Sequence, residues 1–494
     1  MHNSTNPDLK TVESSAMWRR FLCVIGFAAS LILMAAASRG DLSLDEVISL
    51  KTALGTDNWI AIVTQNTDDN DHLLNTFMLR LLGGQQHLFV YRIPAILFGI
   101  YTIAALWFAA RRWSSEAAVW VVYLAGLSYP IILYSSEARG YAPAMFFAVV
   151  SFEMLQRCWE RETWVRLILF WTALCLGFLS HFSFVIILIS LGGWSLIRER
   201  KTGTSFRDAT MNLARFYAVP VVFLAGIYLV FIRHMIILGG PVFSRWEVVG
   251  SAVSHALGLT DAAGLRLVSV ISAAILVGFG IWNLFRQRRQ EWIFFVLVLF
   301  AAPMLVVTLL HPKYLYFRYF MVCFPFFYLL LAFIFAQWFR NRGIIKIIPV
   351  LLIFAMTTGH LLKVATLLDF GRGNFRCAIN DMAAATPGQI IRVGSNDDFV
   401  NGNMLDFYGL FLPPSKKIEY VLTTKIISEK PDWIVVCYLP VASPVLVEDG
   451  AKYNLFSIYP SCGLSGMAWF VYRLSAETET GPSRTLKNVR QTSD

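Results

Sequence analysis

The sequence predicts a polytopic α-helical membrane protein of about eleven transmembrane helices, with a small α/β domain at its C-terminal end. Three observations carry that prediction. Of 494 residues, 56% are hydrophobic and only 15% charged, against about 25% charged in an average soluble domain. The mean hydropathy is +0.57. Apolar runs of spanning length recur until about residue 367, after which the pattern becomes short β-rich runs between polar turns.

The first run, Phe21 to Ala37, follows Arg19 and Arg20 and precedes AAASRG. It is long for a signal-peptide core and reads as an uncleaved first helix. Further runs cover 91–110, 116–134, 141–157, 164–180, 183–197, 216–233, 265–285, 292–310, 320–339 and 346–367. The net charge is +10, but the cations do not form a nucleic-acid stripe, and no nucleic-acid partner is expected. Arg19-Arg20, Arg111-Arg112, Arg157 with Arg161 and Arg166, RERK from Arg198, RQRR from Arg286, and Arg340 with Arg342 and Lys346 occupy alternate loops. That is the positive-inside pattern, so the N-terminus is expected in the cytoplasm and the C-terminal domain on the outer side.

The outer loops then stand out. Residues 38–90 carry Asp41, Asp45, Glu46, Asp57, Asp68, Asp69 and Asp71, and amphipathic stretches such as HLLNTFMLRLLGG that read as interfacial helices. The 234–264 loop holds FSRWE. Residues 370–475 place the strand-like QIIRVGS, KIEYVLTT, PDWIVVCYLP and MAWFVYRLS around the helical NGNMLDFYGLF. Three cysteines fall there, Cys377, Cys437 and Cys462, so an oxidising compartment permits one disulfide. Residues 476–494 are polar and read as a disordered tail. No P-loop, CxxC or internal repeat is present.

Four stretches in order carry a resemblance: SLDEVISL (43–50), NDHLLNTFMLRLLGGQQHLFVYRIPAILFG (70–99), SSEARGYAPAM (135–145) and YLYFRYFMVCFPFFYLLLA (314–332), with the tail PDWIVV…YPSCGLSGMAWFVYR. The chain resembles the bacterial relatives of dolichyl-phosphate-mannose protein mannosyltransferases and aminoarabinose transferases, within the GT-C glycosyltransferases. The resemblance covers most of the chain. It implies a bacterial inner-membrane enzyme of class EC 2.4. Such an enzyme moves one sugar, with inversion, from a polyprenyl-phosphate donor to a hydroxyl of lipid A, lipopolysaccharide, another glycolipid or a protein, on the periplasmic side. The competing class is a transporter or flippase of lipid-linked envelope substrates, and a third is a non-catalytic scaffold.

Sugar transfer from a lipid phosphate needs a base for the acceptor hydroxyl and cations for the leaving phosphate. By resemblance Asp45 is the base, and Glu46 orients the acceptor or tunes Asp45. Two adjacent carboxylates repel, which raises one pKa. The plainer alternative is a helix start, with Ser43 and Glu46 as a capping box. Asp71 and His72 form a second acidic and phosphate-facing pair. The family's usual prolines are missing there, where this chain reads Leu73-Leu74, and an N-cap is the alternative. Arg139 and Tyr141, with Glu137, are candidates for the donor phosphate, against an interfacial Arg–Glu pair. Lys313, Arg318 and Tyr319 form the strongest cationic candidate, because an outer loop should be poor in cations. Simple snorkelling is the alternative. His181 and Arg245, with Glu247, are weaker candidates. The Asp-rich first loop permits a divalent metal without requiring one, and no cofactor is otherwise expected. The expected picture is an acidic acceptor side facing a cationic donor side.

Overall fold

The computed structural model describes residues 7–64, 70, 72–201, 203–237, 239–309, 314–340, 347–438, 441–448 and 450–475, with side chains from residue 17 onward. Asp71, Lys313 and the 476–494 tail lie outside the described residues. The chain divides into two units. One comprises Met1–Ser38, Thr52–Gly83 and Val90–Val364, and the other Arg39–Lys51, Gly84–Phe89 and Ala365–Asp494.

The helices run α1 (Pro7–Ala37), α2 (Leu44–Gly55), α3 (Trp59–Thr64), α4 (Leu73–Leu82), α5 (Ile93–Arg111), α6 (Ser115–Gly126), α7 (Tyr129–Tyr134), α8 (Tyr141–Glu160), α9 (Trp164–Ser180), α10 (Val185–Lys201), α11 (Phe206–Val230), α12 (Arg245–Ala256), α13 (Ala263–Arg286), α14 (Glu291–Val296), α15 (Ala302–Leu309), α16 (Phe324–Arg340) and α17 (Ile347–Phe370). All eleven predicted runs fall on helix. Eight helical segments among the described residues are long and apolar enough to span a membrane; the count of eleven is therefore not reached by length and composition.

The other three runs depart for visible reasons. The 116–134 run is split into α6 and α7, because Pro130 has no N–H to continue the ladder and Ser128 is extended. The α9 helix is only 17 residues long. Within α8 lies Glu153, buried between Arg112 and Arg157 at 3.8 and 3.5 Å. The 292–310 run does qualify by length and composition, although a π-turn over Leu297–Ala301 joins α14 to α15, where Pro303 removes the next donor.

The helix α16 is apolar all round and is the centre of its unit. Its window Phe317–Arg340 is 94% buried, against 17% for Phe206–His234. The short α4 buries Leu73, Thr76 and Leu79 while Leu81 stays exposed. That is the two-faced character its pattern predicts.

The second unit adds α18 (Phe375–Ala385), α19 (Asp398–Gly409) and α20 (Ile426–Glu429) to six strands. These are β1 (Ile390–Ser395), β2 (Lys417–Val421), β3 (Trp433–Val436), β4 (Val445–Glu448), β5 (Ala451–Tyr459) and β6 (Trp469–Leu474), in sheet order β2-β1-β3-β6-β5-β4. The first three are parallel and the rest antiparallel. One face buries Ile434, Val436, Tyr453, Phe470 and Tyr472. Trp433, whose Nε1–H donates to Thr386 Oγ1 at 2.9 Å, faces the other way. Cys377, Cys437 and Cys462 are free thiols.

Residues 39–51 are held within this unit. Asp41 accepts from Arg376 Nε at 2.6 Å and from its backbone N–H at 2.8 Å. Tyr408 O–H donates to the Leu42 carbonyl at 2.9 Å, and Lys51 pairs with Asp406 at 2.8 Å.

Candidate active site

The first unit brings six of the predicted residues into one cluster. His72 is the residue before α4. Arg139 and Tyr141 flank the turn from α7 into α8, and His181 caps the end of α9. Arg318 and Tyr319 lie on the tight 3-10 turn Phe317–Cys323 that leads into α16.

Local chemistry fixes these elements against one another. Asn75 Nδ2, on the first turn of α4, donates to the Ala138 carbonyl at 2.8 Å. Gly140 lies so close to α9 that a Cβ there would sit 1.8 Å from the Ser180 carbonyl oxygen and 3.0 Å from His72 Cβ. No side chain fits at that contact. Gly140→Ala is accordingly expected to destabilise the protein by about 1–3 kcal/mol and to part His72 from His181, read as a lowered Tm in detergent.

The geometry sets the proton positions. Arg139 Nη2 lies 2.8 Å from His72 Nε2. Arginine can only donate, so His72 accepts and carries its proton on Nδ1. Arg139 Nη1 donates to Asn70 Oδ1 at 2.6 Å. His181 Nδ1 accepts from the Ser183 N–H at 3.0 Å, leaving Nε2–H as its donor. The imidazoles lie 4.6 Å apart, His181 is 4.7 Å from the Tyr141 ring and 5.7 Å from Tyr319, and Tyr134 is 4.7 Å from Tyr141. The Arg139 guanidinium lies 5.5 Å from the Tyr141 ring centre and Arg318 lies 4.8 Å from that of Tyr316.

Both histidines lie in loops, outside the spanning helices. Burial first, then Arg139, His181 and Arg318, hold His72 well below the ordinary imidazole range. Burial, then Arg139 and Arg318, push His181 down to about 3. Both guanidiniums therefore act on both imidazoles. Glu137 is also buried here and acts on Tyr134, as does Arg318. Among the described residues the cluster holds the guanidiniums of Arg139 and Arg318 and the carboxylate of Glu137. Guanidinium forks of this kind can hold a phosphate.

A pH dependence follows from these shifts. The unfolded chain binds protons on both histidines near pH 6.5 and the folded protein does not, so stability rises with pH and is lost as pH falls below about 6.5. Each imidazole is expected to contribute a slope of about 1.4 kcal/mol per pH unit in that range. Thermal unfolding between pH 7 and 5 should show it, with a shallower slope for His181→Gln.

The remaining candidates fall elsewhere. Asp45 and Glu46 belong to the second unit, on the first turn of α2. Asp45 is half-buried and Glu46 wholly buried. Glu46 Oε2 accepts from the Ser43 N–H at 2.9 Å and from its Oγ–H at 3.1 Å. The alternative anticipated for Glu46 is thus realised in part, since its carboxylate caps its own helix. Arg245 is exposed at the start of α12, and Glu247 forms a full capping box with Ser244. Glu247 is thereby tied to holding that helix start. Among the described residues no cluster of three His, Cys, Asp or Glu side chains is arranged for a metal.

Sequence reasoning missed Asn70, Asn75 and Tyr134. Asn75 was legible in principle: it stands three residues after His72, on the same side of a helix. His181 was weighed as a lone histidine, and its stacking on His72 depends on contacts 109 positions apart in the chain that no local pattern encodes.

No family model matches the sequence, and no curated protein sequence matches it. The fold does have relatives among solved structures. It is similar to ArnT from Cupriavidus metallidurans bound to undecaprenyl phosphate, at 12% identity and TM-score 0.50, over 94% of this chain and 99% of that one. Apo ArnT gives TM-score 0.53 at 12% identity, over 95% and 100%. The Archaeoglobus fulgidus oligosaccharyltransferase in complex with Zn and sulfate gives 0.50 at 12%, over 84% of this chain and 68% of that one. The fold of this chain is thus the one that ArnT and the oligosaccharyltransferase share, the GT-C-like fold expected from the sequence. Among the described residues eight helical segments are long and apolar enough to cross a membrane, and a small mixed-sheet unit follows them.

Proposed function

We propose that the protein is a GT-C glycosyltransferase that takes a sugar from a polyprenyl-phosphate donor and passes it to a hydroxyl of a cell-envelope acceptor. The site would face the periplasm of a bacterial inner membrane, as the placement of the cationic loops suggests. The observation that carries this reading is the Arg139–His72–His181–Arg318 cluster, in which two guanidiniums act on two buried imidazoles. A phosphate bound there would accept hydrogen bonds from guanidinium and imidazole N–H groups, which strengthen as the sugar leaves and the phosphate gains charge. Tyr141 and Tyr319 would wall the site. Support for the donor class comes from the likeness to ArnT, whose structure holds undecaprenyl phosphate.

Asp45 is the proposed base. It would take the proton of the acceptor hydroxyl as the oxygen attacks the anomeric carbon and the phosphate leaves. Glu46 would hold the helix turn on which Asp45 stands. Asp71 and Lys313 keep their proposed places beside the acceptor and the donor phosphate.

The test is mass spectrometry of envelope glycolipids and glycoproteins with and without the gene. Loss of one sugar unit supports the reading. An unchanged glycan profile with altered distribution of a lipid-linked precursor across the membrane would favour a flippase instead.

A further inference from the structure

The helix ends opposite the candidate active site form a second cationic feature that sugar transfer does not use. Lys201 closes α10, Arg286 closes α13, and Arg288 lies in the turn before α14. Together with Phe285, Gln290 and Trp292 they line a cavity of about 440 Å³, within the size range of small-ligand sites. The positive-inside pattern assigns this face to the cytoplasm.

Two observations characterise this cavity. First, several cations on the same face are paired: Arg19 and Arg340 with Glu116 at 2.9 and 2.8 Å, Arg112 with Glu160, Arg215 with Glu162, and Arg289 with Glu291. Lys201, Arg286 and Arg288 have no carboxylate partner among the described residues. Lys201 and Arg286 rest instead on the rings of Trp292 and Trp282, at 5.1 and 4.9 Å.

Second, Arg288 has φ +57°. It occupies the left-handed position of a Schellman closure, with Arg288 N–H donating to Phe285 O at 2.9 Å and Arg289 N–H to Leu284 O at 3.0 Å. Glycine is the usual residue there, because a Cβ is strained. A guanidinium kept at a strained position, aimed with two other cations at one cavity, implies an anionic occupant.

The aromatic lining selects among anions. Phe285 and Trp292 line the cavity, and Trp282 lies under the Arg286 guanidinium; such rings mark the depth at which aromatic side chains meet lipid headgroups. A cavity that is cationic at its mouth and apolar along its wall matches a phosphodiester attached to acyl chains, and basic pockets between helix ends on the cytoplasmic side hold such headgroups. We propose that this cavity binds the headgroup of an anionic phospholipid of the inner leaflet.

The test uses the full-length protein in detergent, titrated with dioleoyl-phosphatidylglycerol or dioleoyl-phosphatidylcholine while thermal unfolding is followed. Phosphatidylglycerol is expected to raise Tm by about 2–5 °C, and phosphatidylcholine to leave it unchanged. The double variant Lys201→Gln, Arg286→Gln should bind phosphatidylglycerol at least about tenfold more weakly. Arg288→Gly provides the sharper arm. Its lipid-free Tm should equal or exceed that of the unsubstituted protein, because glycine relieves the backbone, yet its response to phosphatidylglycerol should fall. An equal response to phosphatidylcholine overturns the proposal, as does an undiminished phosphatidylglycerol response in Arg288→Gly. Equal stabilisation by millimolar inorganic phosphate or glycerol 3-phosphate overturns it in favour of a soluble anion.

Discussion

Replacing Asp45 with asparagine is expected to lower sugar transfer by about 10²–10⁴-fold, the range that a positioned base contributes, while the protein inserts and folds as before. Asparagine keeps the shape of the side chain and is acceptable near a helix start. Loss of the negative charge from the first turn of α2 should cost only about 0.3–1 kcal/mol. Transfer from a lipid-linked sugar, measured with purified protein and compared with Tm in the same detergent, separates the two effects. Full activity in a well-folded Asp45→Asn protein would remove Asp45 from the mechanism. Glu46→Gln is the informative companion. Its amide oxygen can still accept from the Ser43 N–H and hydroxyl, so a modest loss of activity is expected if Glu46 serves to hold the turn.

The second large effect is expected at Arg139. Arg139→Gln removes the donor that meets His72 Nε2 and Asn70 Oδ1, and it removes one of the two cations proposed to hold the phosphate. A loss of about 10²–10³-fold in kcat/KM is expected, comparable with the removal of one donor from a preorganised anion site. Arg139→Lys should recover little, because an ammonium cannot reproduce the planar fork that reaches two acceptors at once. A readout independent of activity goes with this. Arg139 adds to the burial that depresses both imidazoles, so its removal should raise both pKa values and make the acid loss of stability level off at a higher pH. Unchanged kcat/KM with that shifted stability profile would make Arg139 a structural residue only.

Much of the architecture was legible because the membrane imposes a length and a composition on each spanning helix. Every apolar run became helix, and the strand pattern of PDWIVVCYLP and MAWFVYRLS became the adjacent β3 and β6. The hairpin of β4 and β5 was missed, although Asp449-Gly450 between VLVE and AKYNLFSIY is a strong turn signal. The helix α18 was missed because FRCAINDMAAA buries a narrow face, Phe375, Ala378, Ile379 and Met382, within a mixed composition. At the site, Arg318 was visible as a cation against the orientation trend, and Arg139 as a candidate for a bidentate phosphate contact. Their effect on a pair of neutral imidazoles was not, because it arises from turns brought together by Gly140 and Asn75. Nor could sequence alone decide how Glu46 divides between capping and chemistry, since SLDEV satisfies both.

The second unit is assembled from three stretches of chain, and this affects the order in which the protein matures. The segment bearing Asp45 leaves the ribosome more than 300 residues before Arg376, Asp406 and Tyr408, the groups that grip Asp41, Lys51 and Leu42. Until the last quarter of the chain has been made, the proposed base has no fixed seat. If the proposed function holds, a nonsense mutation after α17 should leave a bundle of helices in which Asp45 lacks that seat and sugar transfer is lost.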